Sequence, residues 1–149
     1  MKNILIILLI GIGFYQWSTG DKSTSSAFNN PTPSFVESKS GDTLKIAYEN
    51  GRSHVQVNGV GTVIKLLRDD NDGSRHQKFI LRLASGQTIL VAHNIYLAPR
   101  INSLSKGDQV EFYGEYEWNN KGGVVHWTHQ DPRGQHIGGS LKHSGSTYQ

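Results

Sequence analysis

The chain contains no cysteine, which excludes disulfides, thiolate metal sites and cysteine nucleophiles. It says nothing of the compartment, since a cysteine-free chain suits either redox state. Charge of one sign is also scarce: 15 Lys and Arg against 12 Asp and Glu leave +3 with histidine neutral. That excess is too small to argue for nucleic acid on its own. No motif recurs at a period of about 20–50 residues, so a solenoid or propeller is not supported. Long apolar runs are missing beyond the first twenty positions. With 36% hydrophobic and 18% charged residues, the composition is that of an ordinary globular protein rather than a disordered or polytopic membrane chain. A chain of 149 residues has room for one modest core.

What is present begins with a leader. Lys2 supplies a positive start, Ile4 to Phe14 is an uninterrupted apolar run, and Ser18 and Gly20 place small residues where a signal peptidase reads. The uncharged stretch Asn3 to Gly20 is 18 residues long, the lower limit for crossing a bilayer. Residues 1–20 are therefore expected to be a signal peptide or an N-terminal membrane anchor. The protein is expected to be exported, periplasmic or secreted, with anchoring to the inner membrane as the alternative. The only membrane contact foreseen is through that segment. Residues 21–41, rich in Ser, Thr and Asn with two prolines, read as a flexible linker ahead of a domain at 42–149.

Within the domain, Asp42 can cap a short helix, with Leu44, Ala47 and Tyr48 on one face and Gly51 at the left-handed C-terminal position. The period then becomes two. A long first strand, His54 to Leu67, holds Gly59 and Gly61 and is expected to bend or bulge there. Phe79, Leu81 and Leu83 alternate with Lys78 and Arg82 in a second strand, and Ser85-Gly86 turns the chain into a third, Thr88 to His93. After a break around Pro99, Val110, Phe112, Gly114, Tyr116 and Trp118 alternate with Glu111, Tyr113, Glu115 and Glu117. The turn Asn119 to Gly123 leads into a fifth strand, Val124 to His129. The expected fold is an all-β, five-stranded OB-like barrel with a short N-terminal helix and an irregular Gly/His-rich C-terminal segment. A split sandwich or an SH3-like barrel is the competitor.

The runs HQKFILRLASGQTILVAHNIYLAPRI and GDQVEFYGEYEWNNKGGVVHWTHQDPRGQH resemble a bacterial family known as domain of unknown function 3465, over residues 42–149. The resemblance implies a small protein with an N-terminal signal. It carries no assigned activity and no catalytic residues. The chain departs from the family's pattern at Gln130, where a histidine is common, and at Ser140, where a tryptophan is common, so the resemblance places no essential role on either.

Five of the seven histidines, His93, His126, His129, His136 and His143, fall in the C-terminal part, with Asp131 among them. Imidazole and carboxylate without thiolate suit a divalent transition metal such as Zn²⁺. Strand parity puts His129 and Asp131 on one face and His126 on the other. The expected metal set is thus His129, Asp131 and His136, with His93 or His143 as a fourth. The competing reading is that these imidazoles hydrogen-bond loop groups and fix a tail that apolar burial does not hold. Neutral histidines in such roles predict loss of stability on acidification; imidazolium ions paired with carboxylates predict loss as pH rises.

Two functions follow. One is an exported OB-like binding module, with Lys78, Arg82, Arg68 and Arg75 placed for an oligonucleotide, glycan or cell-envelope component. The alternative is a metal-dependent hydrolase of a phosphodiester or similar ester, with Asp131 or Glu115 as base. Gly138-Gly139-Ser140-Leu141-Lys142 lacks the last glycine of a nucleophile elbow. The consecutive carboxylates of Asp69 to Gly73 read as a solvated turn rather than a calcium loop.

Overall fold

The computed structural model describes residues 37–149; the expected leader, and the expected linker as far as residue 36, lie outside the described residues. Among the described residues no helix is long and apolar enough to cross a membrane. The elements are α1 Glu37–Glu49, β1 Val55–Leu66, β2 His76–Leu83, β3 Thr88–Asn94, β4 Gln109–Glu117, β5 Val124–His126, β6 Ser140–His143 and β7 Ser146–Tyr148.

Alternation builds the barrel. On β4 the even positions Val110 to Tyr116 are buried and the odd positions Glu111 to Glu117 face outward, as the period of two requires. The strands run β1-β2-β3-β5-β4, and β4 returns to β1, closing the five-stranded barrel. Every neighbouring pair is antiparallel except β3 and β5, the pattern of an OB barrel. Strand β1 serves both sides: Val55–Thr62 pairs with β4 and Gly61–Leu66 with β2. The register breaks between Val63 and Lys65, so the bend lies just beyond the glycines expected to supply it. The glycines make room instead. A Cβ on Gly59 would lie 2.8 Å from the Phe112 ring, and one on Gly61 2.8 Å from Leu81 Cβ.

Phe79, Leu81, Val91, Val110 and Tyr116 are fully buried within the barrel. Each such side chain contributes about 1.5–3 kcal/mol of apolar burial. Helix α1 buries Leu44 and Ala47 in the same core. It begins ahead of Asp42, which therefore sits in its body rather than at its cap. Its end is as expected: Gly51 has φ 62°, and the Arg52 and Gly51 amides donate to the Ala47 and Tyr48 carbonyls, a Schellman closure. Trp118 fastens the helix to the barrel by donating its indole N–H to the Tyr48 carbonyl at 3.0 Å.

Two features were not foreseen. Strand β5 stops at His126 rather than His129, because Trp127 adopts φ 54° and breaks the extended run. The C-terminal segment is only partly irregular. It closes as the β6–β7 hairpin through Ser144 (φ 48°) and Gly145 (φ 79°), with β6 paired to β4 and Leu141 wholly buried in the core. Thus β4 carries β1 on one edge, and β5 and then β6 on the other. In the chain between them, Thr128 is buried against His93, and His136 lies over the outer face, 2.9 Å from Glu115.

Candidate functional site

The expected metal set is not brought together. His93 is fully buried, with Nε2 donating to the Pro99 carbonyl at 3.1 Å and Nδ1 accepting from the Thr128 hydroxyl at 2.8 Å. Both nitrogens are therefore committed in a neutral ring, and burial pushes its pKa down to about 4. Together with Gln77, whose side-chain amide exchanges two 2.9 Å bonds with the Ile101 backbone, His93 clasps the β3–β4 connection to the barrel. His143, on β6, donates Nε2 to Asp108 Oδ2 at 2.8 Å. His129 is buried, with Nδ1 donating to the Gln130 carbonyl at 2.8 Å.

Asp131 organises its own loop. Its Oδ1 accepts the Arg133 amide at 3.0 Å, and Oδ2 accepts those of Gln135 and His136 at 2.8 and 2.9 Å. These bonds, the Arg133 amide first, hold its carboxyl below the usual range. Its oxygens are spent on the backbone. Neither a ligand role nor that of a general base follows from this arrangement.

A different constellation forms around Glu115. On the outward face, Glu115 lies opposite Gln56 of β1 on one side and His126 of β5 on the other. Glu117 is two residues along the same face. His54, just ahead of β1 and at φ 58°, presents Nδ1 3.2 Å from Glu115 Oε1 and 2.8 Å from Glu117 Oε1. His126 Nε2 lies 3.5 Å from Glu115 Oε1 and 3.7 Å from Glu117 Oε1. Among the described residues, His54, Glu115 and Glu117 are the group whose ligand atoms fall within 4.8 Å of one another. His136 enters from the overlying loop, its Nε2 2.9 Å from Glu115 Oε2, its ring stacked on Trp127 with centroids 3.9 Å apart.

The electrostatics follow from these contacts. Burial pushes Glu115 up, but hydrogen bonds from His136 and His54 outweigh it and hold the carboxyl below its ordinary value. A carboxylate so stabilised suits an acceptor or ligand, not a base poised near neutrality. The Glu115 hydrogen bond, then the Glu117 charge, raise the pKa of His54. Two buried groups in this row lack partners among the described residues, Gln56 Nε2 and His126 Nε2. Leaving such a group unmet costs about 1–3 kcal/mol. Beside the cluster a cleft of about 210 Å³ is bordered by His76, Asn94, His126, Trp127 and His129.

The expected cationic face is only partly free. Lys78 pairs with Asp70 at 3.3 Å and Arg75 bonds Asn71 at 3.1 Å, whereas Arg82 on β2 and Arg68 beyond β1 are exposed. Sequence reasoning named Glu115, and named the Glu115 and Glu117 face as a partner for His126 and His136, but left Glu117 and His126 out of the metal set and passed over His54. The hairpin held the signal for two of them: a turn centred between Asn120 and Lys121 sets His126 opposite Glu115 and Val124 opposite Glu117. His54 left no such signal, because it arrives through barrel closure.

The chain has no match among curated proteins. The segments that build the clasp on the β3–β4 connection and the cluster on β4 and β5 all fall within residues 27–149, which match the family described as "Protein of unknown function (DUF3465)", and the chain belongs to that family.

Proposed function

We propose that the protein is an exported, non-enzymatic binding module whose ligand is a cation taken up by Glu115 and Glu117. The observation that carries this reading is the identity of their partners. Both carboxylates are partly shielded from solvent, and every ion pair they make among the described residues is with a histidine: His54, His126 or His136. No Lys or Arg among the described residues supplies a permanent counter-charge. Histidine charge is conditional on pH, so as pH rises past the raised values of His54 and His136 the face is left with two carboxylates that attract a positive ligand. Export is proposed from Lys2 and the apolar run Ile4–Phe14.

Calorimetry on the full chain tests the binding reading against divalent cations, choline and spermidine, with oligonucleotides, glycans and cell-wall fragments in parallel. Saturable cation binding that disappears in the Glu115→Gln/Glu117→Gln double variant is the expected result. Undiminished binding by that variant, or no response to any cation, removes the reading. Fractionation of cells expressing the full chain tests export.

A further inference from the structure

We infer that the cation is a divalent transition metal, zinc foremost, held by His54 Nδ1, Glu115 Oε1 and Glu117 Oε1, with the fourth position of a tetrahedral shell left for water. The inference rests on the cation-binding reading above and names its ligand.

Spacing is the first argument. Four donors at about 2.0–2.2 Å from one ion at tetrahedral angles lie about 3.4 Å apart. The four nitrogen-to-oxygen separations here are 2.8, 3.2, 3.5 and 3.7 Å. The two from His54 belong to the three donors that lie within 4.8 Å of one another, whereas the two longest, both from His126, exceed the range of a good N–H···O hydrogen bond and leave that ring outside the group. The shortest has hydrogen-bond length, because a proton on His54 Nδ1 can stand between the same two oxygens.

Donor chemistry is the second. An imidazole with two carboxylates suits zinc better than Ca²⁺ or Mg²⁺, which prefer oxygen alone, and better than an organic ammonium, which needs acceptors rather than a nitrogen ligand. Two carboxylates balance the double charge, and a neutral His54 imidazole completes the protein's share of the shell. The third argument is His126 Nε2, which has no hydrogen-bond partner among the described residues and lies 3.5 and 3.7 Å from the same two oxygens. Water in the fourth position would give that nitrogen a partner. Support for the shell is already in place, since His136 bonds the other oxygen of Glu115 at 2.9 Å and thereby fixes the carboxylate's orientation.

The test uses the full chain made without a histidine tag, loaded with zinc and freed of excess, then measured by elemental analysis and X-ray absorption. One zinc per chain is expected, with four N/O donors at about 2.0–2.1 Å and the outer-shell scattering of one imidazole. His54→Asn and Glu117→Gln should each weaken zinc binding beyond the roughly 10–100-fold that loss of an outer-shell partner causes. The His54 side chain is 79% exposed and lies outside the strands, and Asn tolerates its left-handed backbone, so that variant keeps the fold, as circular dichroism will confirm. Stoichiometric zinc that both variants retain at full affinity overturns the inference. So does binding of Ca²⁺ or an ammonium ligand, without zinc, that the double glutamate variant abolishes; that outcome leaves the cation-binding reading standing. Absence of any cation binding overturns both.

Discussion

His136 bonds Glu115 Oε2 through Nε2 at 2.9 Å while its Nδ1 lies 2.7 Å from the Ile137 carbonyl. A carboxylate and a carbonyl both accept, so both ring nitrogens carry protons and the ring is an imidazolium, stacked on the face of Trp127. Burial works against that charge, but the Glu115 bond and the Ile137 carbonyl outweigh it and raise the pKa. The raised value fixes the direction of its pH dependence. The contribution is fully present below the unfolded value of about 6.5 and is lost as pH rises through the higher folded value. Glu115, with its pKa lowered, sets the acid limit: its contribution is present above about 4.3 and lost as pH falls through its folded value. In metal-free protein with chelator, the stability difference between wild type and His136→Gln should peak near pH 5–6 and shrink toward pH 8. A difference that grows with pH would show the ring to be neutral.

His93 obeys the opposite sign. Its pKa is lowered to about 4 by burial, so its stabilisation is complete above the unfolded value of about 6.5 and lost as pH falls toward 4. The shift corresponds to about 3 kcal/mol over that interval. His93→Gln should be less stable at pH 7 and lose less on acidification. Urea midpoints at pH 7, 5.5 and 4 measure this, and parallel acid limbs in the two proteins would exclude the account.

The Asp131 carboxylate holds the amides of Arg133, Gln135 and His136. Asp131→Ala should accelerate hydrogen exchange at these amides while zinc stoichiometry stays unchanged. Loss of zinc in this variant would return Asp131 to the ligand set expected from the sequence.

Leu44 is 1% exposed where α1 packs on the barrel. Leu44→Ala should cost about 2–5 kcal/mol in chemical denaturation, the range for a buried leucine whose cavity does not collapse. A cost under about 1 kcal/mol would mean that the helix is a dispensable cover.

The parts of the fold written in short-range chemistry were legible. Alternation at Val110 to Tyr116 assigned β4 and its acidic outer face, and Gly51 marked the helix end. What parity arguments missed was backbone handedness: Trp127 at φ 54° ends β5, so counting faces onward to His129 and Asp131 lost its meaning. Histidine density likewise did not mark the cluster. His93 and His143 secure connections, as the packing alternative anticipated, while His54, outside the dense segment, completes the cluster. Ser144-Gly145 was a readable hairpin turn in a segment taken as irregular.

The pairing that closes the barrel joins Val55 to Tyr116 and Thr62 to Gln109, with the whole β2–β3 hairpin between them in the chain. Ordering so long a loop is entropically costly before its contacts form, whereas the β4–β5 turn closes over a few residues. Assembly therefore has a sequence in time. Glu115, Glu117 and His126 meet within one hairpin, and His54 joins only as the barrel shuts. An ion that needs His54 as well as Glu115 and Glu117 would act after the folding barrier rather than before it, leaving the folding rate nearly unchanged and slowing unfolding. The site would then serve as a lock on a finished barrel, and its strength would show in the lifetime of the native state.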